Sequence, residues 1–200
     1  MDVQRLNISL LPPAGVATAI RSLASSLPPE GQLFNVAEPT RLPHVTLYMS
    51  MFPARNLYAL EQRISQAISW LTVPQLRCQA LAVTQGGYVE IGYRRTWALR
   101  QLQVDVIAAT CDLRDTATAS RSDHSRVSAG KKENLKAYGY ALLGGYFRPH
   151  ATLARYGLPP QLDAFEFDQA NFDWRGTTLA ISVADEYGSA VQKLSEVEIS

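Results

Sequence analysis

Two stretches decide how this chain is read: Pro43-His44-Val45-Thr46-Leu47 and Pro149-His150-Ala151-Thr152-Leu153. The same five-residue word, Pro-His-apolar-Thr-Leu, occurs twice and takes up two of the three histidines in 200 residues. Both copies run on into strand-forming residues, Tyr48-Met49-Ser50-Met51-Phe52 and Ala154-Arg155-Tyr156. Alternate residues of a β-strand share a face. His44 therefore stands beside Thr46, with Val45 and Leu47 on the opposite, apolar face. His150 stands beside Thr152 in the same way, with Ala151 and Leu153 behind. Proline ahead of each histidine suits the first position of a strand, where a missing ladder donor costs least. A single His-x-Thr on a strand is more often structural than catalytic. Two copies about half the chain apart, with matching flanks, are what two similar lobes would bring to one site.

The chemistry of that set is specific. An unperturbed imidazole titrates near ~6.5, so one histidine can act as base and the other as acid close to neutrality. Two hydroxyls supply donors for charge that develops on an oxyanion. Asp-x-Asp, His-Glu-x-x-His and Cys-x-x-Cys are all missing from the sequence, so the scheme calls for no metal and no cofactor. Gly-x-Ser-x-Gly is missing too. Gly130-Lys131-Lys132 fails as a phosphate-binding loop, because Ser125 stands where that motif needs glycine and Lys132 where it needs Ser or Thr.

In these motifs the chain resembles the two-histidine (2H) phosphoesterase superfamily, whose signature is a pair of His-x-Thr/Ser motifs with apolar neighbours, one per lobe. The likeness is to the bacterial branch named for 2'-5' RNA ligase, whose members act as RNA 2',3'-cyclic phosphodiesterases. There the second motif commonly reads like Phe147-Arg148-Pro149-His150-Ala151-Thr152-Leu153-Ala154-Arg155. The resemblance covers most of the chain: an opening strand ending in Leu-Pro, then a helix, then the first motif. It implies a single bilobed domain over residues 1–200, two pseudo-symmetric lobes facing across a concave cleft. It also implies metal-independent hydrolysis of an RNA-type 2',3'-cyclic phosphate to a 2'-phosphate. His44 and His150 are the expected catalytic pair, with the choice of acid and base left open, and Thr46 and Thr152 are expected to hold the phosphate. RNA ends or cyclic nucleotides are the expected partners. Alternatives are a 2',5'-oligonucleotide or small-metabolite phosphodiesterase, or a non-catalytic nucleotide or RNA-end binding module on the same fold.

Supporting residues follow from strand parity. Arg148 shares parity with His150 and is a candidate phosphate ligand. Arg155 has the opposite parity, so simple alternation puts it behind the sheet. The family often has a basic residue there near the phosphate, which requires the strand to end or twist first. Tyr48 shares parity with His44 and is a candidate for stacking on a base, or for lining the cleft. His124 has Arg126 where the motif has threonine, and reads as a surface-loop histidine. Residues 121–140 carry Arg121, Arg126, Lys131, Lys132 and Lys136 against only Asp123 and Glu133, a candidate grip on RNA phosphates.

Composition sets the bounds. With 46% apolar residues the chain can build a substantial core, and a net charge of +1 argues against coating long nucleic acid by charge alone. Cys78 and Cys111 match no metal or redox spacing. The polar start Met1-Asp2-Val3-Gln4-Arg5 does not resemble a signal peptide, and no stretch approaches the ~18 to 20 apolar residues of a membrane span. A cytoplasmic monomer without membrane association is expected.

Periodicity predicts strands at Leu6–Leu10, Val45–Phe52, Leu76–Val83, Tyr88–Tyr93, Thr177–Ala184 and Val191–Ile199. It predicts helices over Val16–Leu27, Leu57–Leu71, Thr96–Leu113 and Lys131–Leu143, the last ended by Gly144-Gly145, with a loop from Thr116 to Gly130. Hairpins outnumber strand-helix-strand crossovers, so the fold class is α+β, antiparallel sheets with helices outside.

Overall fold

Alternating apolar residues in Leu6-Asn7-Ile8-Ser9-Leu10 form the middle of the first strand, β1 (Val3–Leu11), which Pro12-Pro13 ends before helix α1 (Ala14–Ser25). The computed structural model describes residues 2–119, 128–162 and 167–199. After α1 come β2 (Gln32–Asn35), β3 (Val45–Pro53), α2 (Leu57–Ile68), β4 (Gln75–Leu76), β5 (Cys78–Val83) and β6 (Tyr88–Tyr93). Then follow α3 (Trp97–Thr110), α4 (Thr116–Ala119), α5 (Ala129–Tyr138), β7 (His150–Tyr156), β8 (Trp174–Arg175), β9 (Thr178–Ala184) and β10 (Ala190–Glu198). No helix among the described residues is long and apolar enough to cross a membrane.

The fold is α+β, built on one antiparallel sheet of eight strands in the order β10-β9-β1-β3-β7-β6-β5, with β2 beside β7. β4 and β8 form a separate two-stranded sheet. The large sheet has two halves, β10-β9-β1-β3 and β7-β6-β5 with β2, each holding one motif strand. They join where Val45 of β3 pairs with Ala151 of β7, the middle residues of the two His-x-Thr triplets. Val45, Leu47, Ala151 and Leu153 enter one core with Ile20 and Ala24 of α1, Leu60 and Ile64 of α2, and Leu99, Leu102 and Val106 of α3. The helices thus pack behind the motif strands and leave the histidine side free.

Both motif strands carry a bulge at the same place. Along β1 and β3, Ile8 pairs with Tyr48 and Ser9 with Thr46, so Leu47 has no ladder partner. Along β6 and β7, Val89 pairs with Ala154 and Glu90 with Thr152, so Leu153 has none. A bulged residue leaves backbone groups that must find partners elsewhere. The Leu47 carbonyl accepts from the buried Gln103 side chain of α3 at 2.9 Å, and the Leu153 carbonyl accepts from the Val36 N–H at 2.8 Å.

Two expectations are corrected here. The helix expected over Lys131–Leu143 starts at Ala129 and stops at Gly139, not at Gly144-Gly145. Gly139 sits at φ 71° and donates its N–H to Leu135, a left-handed helix stop that glycine adopts without steric cost. The loop expected from Thr116 to Gly130 is shorter at both ends, since α4 and α5 occupy its margins. His124, Arg121 and Arg126 lie outside the described residues.

Gln103→Met keeps the side-chain volume but removes the donor from the buried Leu47 carbonyl at 2.9 Å and the partly buried Leu142 carbonyl at 3.0 Å. It is expected to destabilise the fold by about 1–3 kcal/mol. Exposed Gln66→Met is expected to stay within about 0.5 kcal/mol of wild type. Denaturant midpoints of the three proteins check this.

Candidate active site

Each imidazole is oriented by its own local backbone. Nδ1 of His44 lies 2.7 Å from the Leu42 carbonyl, and Nδ1 of His150 lies 2.7 Å from the Arg148 carbonyl. A carbonyl only accepts, so both Nδ1 atoms carry hydrogen and both Nε2 atoms are left for chemistry. The residue between carbonyl and histidine is Pro43 in one copy and Pro149 in the other. Its fixed φ holds the preceding carbonyl in place. Neither proline is the first residue of its strand, since β3 starts at Val45 and β7 at His150; each is instead part of the device that selects the tautomer.

His44, Thr46, His150 and Thr152 line one cavity of about 300 Å³ together with Glu90 and Arg148. Its other wall is aromatic, with Phe34 of β2, Tyr88 of β6, Tyr140 and Tyr187. The two motifs, far apart in sequence, therefore face the same space. Arg148 is among the lining residues, with its guanidinium bonded to Glu90 Oε2 at 2.8 Å.

Tyr48 and Arg155 sit where simple alternation does not put them, and the bulges are the cause. Leu47 and Tyr48 are both fully buried, so the parity expected for Tyr48 is lost and Met49 takes the cleft face. The Tyr48 hydroxyl donates to the Tyr138 carbonyl at 2.6 Å, and burial pushes its pKa up to about 12. Tyr48 neither stacks on a base nor lines the cleft. It anchors the end of α5 to β3. In β7 the same bulge buries Leu153 and Ala154 and turns Arg155 back to the histidine side. There its guanidinium lies 4.9 Å from the Tyr88 ring and 4.8 Å from the Tyr187 ring. Arg155 is not among the residues that line the cavity; it braces two that are.

Two polar residues at the histidines were not singled out from sequence. Asn7 of β1, fully buried, has its Nδ2 3.2 Å from His44 Nε2, 2.9 Å from Thr46 Oγ1 and 3.3 Å from the Gly188 carbonyl. Glu90 of β6 has Oε1 3.4 Å from His150 Nε2, and its side chain is only 7% exposed. In an alternating strand both read as solvent-facing positions, so nothing in the local pattern marks them. The turn bearing Tyr187 and Gly188 is shaped by Asp185, whose Oδ1 accepts from the Tyr187 and Ser189 N–H groups at 2.9 Å each. Its Oδ2 binds Arg41, whose guanidinium also lies over the Phe34 ring at 4.5 Å. Among the described residues, no group of three or more His, Cys, Asp or Glu side chains is placed to hold a metal ion.

No protein-family model matches the sequence, and no curated protein matches it. Solved structures do. The same antiparallel α+β architecture is found in Escherichia coli LigT. In its apo form LigT is 17% identical, with a TM-score of 0.64 over 100% of this chain and 99% of that one. LigT complexed with 3'-AMP is matched at 18% identity and a TM-score of 0.65, again over 100% and 99%. A structure described as a phosphoesterase is 17% identical, with a TM-score of 0.61 over 98% of this chain and 99% of that one. The chain has the fold of LigT.

Burial is the largest influence on His44 and makes the imidazole harder to protonate than the ordinary value of 6.5; the nearby His150 acts in the same direction and the Leu42 carbonyl opposes both. In the unfolded chain the same ring takes up a proton as pH drops below 6.5. The unfolded state then binds more protons than the folded one, so His44's contribution to stability is complete above that value and declines as pH falls toward the folded pKa. His44→Gln is expected to flatten the stability profile just below pH 6.5, by at most one proton, about 1.4 kcal/mol per pH unit. Unfolding free energies of both proteins across that window check this.

Proposed function

We propose that the chain is a 2H phosphoesterase that hydrolyses RNA-type 2',3'-cyclic phosphates to 2'-phosphates without a metal. The observation that carries this reading is the matched pair of histidines. Each has Nδ1 held by the carbonyl two residues back, and each shares one cavity with the threonine of its own motif. Water attacks phosphorus as one imidazole takes its proton, and the bond from phosphorus to the ribose 3'-oxygen breaks as the other imidazole protonates that oxygen. The Thr46 and Thr152 hydroxyls donate to the non-bridging oxygens, where negative charge collects. Thr46 Oγ1 already accepts from Asn7, which leaves its own hydrogen for the phosphate.

The aromatic wall supports a nucleotide substrate. Phe34, Tyr88 and Tyr187 offer ring faces and edges on which a base can stack. LigT, on the same fold, has been solved in complexes with 3'-AMP, ATP, NADP+ and phosphate.

Cyclic nucleotides, cyclic-ended RNA and 2',5'-linked dinucleotides, each incubated with the protein in EDTA, test the reading by their products. Turnover of the cyclic substrates to 2'-phosphates is expected, with a bell-shaped pH profile whose limbs belong to the histidine pair. His44→Ala and His150→Ala should each lower it about 10²- to 10⁴-fold, and the double variant far less than the product of the two. A folded single variant with full activity would overturn the assignment, and activity that needs an added divalent ion would move the chain to another class.

The lysines of α5 are proposed to follow the RNA backbone, because the chain leaving that helix supplies Tyr140 and Leu142 to the cavity wall. Neutralising Lys131, Lys132 and Lys136 is expected to weaken binding of cyclic-ended oligonucleotides. It should also flatten the salt dependence, by roughly 0.7 in log-log slope for each phosphate that the lysines no longer neutralise. Turnover of a cyclic mononucleotide, which has no flanking phosphates, should barely change. Affinity against salt for both substrates separates the two outcomes.

A further inference from the structure

Asn7 and Glu90 stand at different ladder positions, Asn7 opposite Met49 and Glu90 opposite Thr152, yet play comparable parts in the two halves of the sheet. Each lies on the strand beside a motif strand, β1 beside β3 and β6 beside β7, and each meets Nε2 of that motif's histidine. One is an amide and the other a carboxylate. We propose that these two residues divide the work of the histidine pair, Asn7 keeping His44 neutral as the general base and Glu90 keeping His150 charged as the general acid. This inference rests on the phosphodiesterase reading above and assigns the roles that reading leaves open.

Hydrogen-bond polarity carries it. The Gly188 carbonyl only accepts, so the part of the Asn7 amide that faces Gly188, Thr46 and His44 is its NH2 group. Its two hydrogens serve three neighbours, so His44 Nε2 at most shares one, but a bare Nε2 is the form that meets an NH2 group without a clash of donors. With Nδ1 protonated toward Leu42, His44 is the neutral imidazole; its Nε2 lone pair faces the Asn7 amide at 3.2 Å and must turn from it to the attacking water in turnover. A protonated His44 would set N–H against NH2, two donors face to face. Burial acts in the same direction on His44.

Glu90 reverses the arrangement. A carboxylate only accepts, so His150 Nε2 meets it favourably when it carries hydrogen, and Nδ1 already carries one toward the Arg148 carbonyl. Both ring nitrogens are then protonated, the state a general acid needs. Arg148 draws on the same carboxylate through Oε2, so Glu90 serves two cations and is itself neutralised by them. The other ionisable groups facing the pair among the described residues are the Tyr88, Tyr140 and Tyr187 hydroxyls on the cavity wall, and Asp185 from the turn between β9 and β10, itself bound to Arg41. In turnover, the water proton passes to His44 Nε2 while its oxygen bonds to phosphorus, and the Nε2 proton of His150 passes to the departing 3'-oxygen. Proton exchange with solvent restores both rings. Asn7 and Glu90 are positioning residues, acting on the substrate only through the imidazoles.

The test uses the full chain with ¹⁵N-labelled histidines, wild type beside Glu90→Gln, Glu90→Asp and Asn7→Asp. Long-range proton–nitrogen spectra across pH read each ring's protonation without any turnover. Wild type is expected to show a pH window in which His44 carries hydrogen on Nδ1 only while His150 carries hydrogen on both nitrogens. Glu90→Gln should make His150 release its proton at lower pH than in wild type and leave His44 unchanged, and Glu90→Asp should restore much of the difference. Asn7→Asp should make His44 take up a proton at higher pH. On a 2',3'-cyclic nucleotide the alkaline limb of the rate profile should fall to lower pH in Glu90→Gln, and the acid limb should rise in Asn7→Asp. Two rings in the same protonation state at every pH in wild type, or a Glu90→Gln variant whose His150 titrates as in wild type, would overturn the division of roles even in an active enzyme. A wild-type protein inert toward every phosphodiester but with the expected spectra would instead sink the proposed function and leave the assignment of charge intact. Should Asn7→Asp not fold, the two Glu90 variants decide.

Discussion

The site depends on one backbone pairing, Val45 with Ala151. It is the single register pair between β3 and β7, and it lies at the middle of both His-x-Thr triplets. Antiparallel pairing there sets His44 and Thr46 of one strand against Thr152 and His150 of the other across a shared seam. Each flanking half has its own ladder, and each half could shift as a body; what fixes the two imidazoles relative to one another is this contact and the apolar packing behind it. Val45 and Ala151 are both fully buried, and small or β-branched residues are what the close approach of two strands accommodates. A larger side chain at Ala151 would part the seam and with it the histidine pair.

The bulges at Leu47 and Leu153 set how far that geometry extends. Before them, parity holds and the motif is legible: histidine and threonine on one side, apolar residues on the other. Beyond them, parity inverts, which is why Tyr48 is in the core and why Arg155 returns to the histidine side. A bulge adds a single residue to one strand and leaves no mark on hydropathy, because Leu-Tyr and Leu-Ala read equally well as either phase of an alternation. The devices that make the bulges tolerable are distant in sequence. The Gln103 amide comes from α3 and the Val36 N–H from the end of β2, neither of which a strand pattern announces.

Much of the frame was legible for plain reasons: proline and glycine punctuate the chain, and α1, α2 and α3 show clear apolar periodicity. Strand β2 escaped because four residues are too few to establish a period, yet it delivers Phe34 to the cavity wall. Tyr187 escaped because its place depends on the Asp185 turn and on Arg41, contacts made across the sheet. Asn7 and Glu90 escaped for a different reason. Polar residues alternating with apolar ones normally face water, and that inference fails wherever a sheet is covered on both sides. β1 is an interior strand between β3 and β9, and its run from Leu6 to Leu10 is wholly buried.

The burial of those polar groups has an energetic consequence that argues for their role. Asn7 Oδ1, Ser9 Oγ and Ser182 Oγ are buried without a hydrogen-bond partner among the described residues, and Asn7 lies opposite Ser182 in the β1–β9 ladder. Unsatisfied buried polar atoms each cost about 1–3 kcal/mol, and apolar residues of similar size would fill these positions without that penalty. Glu90 is likewise withdrawn from water beside the cavity, although Arg148 pairs with its carboxylate at 2.8 Å. A sheet selected for stability alone would place leucine or valine there. Unsatisfied buried polar atoms also occur at Ser50, Tyr93, Arg155 and Trp174, but Asn7 and Glu90 are the buried polar side chains that meet the two Nε2 atoms. The asymmetry between amide and carboxylate is then what a symmetric frame needs: two equivalent histidines would compete for the same proton, and two unlike neighbours settle which of them holds it.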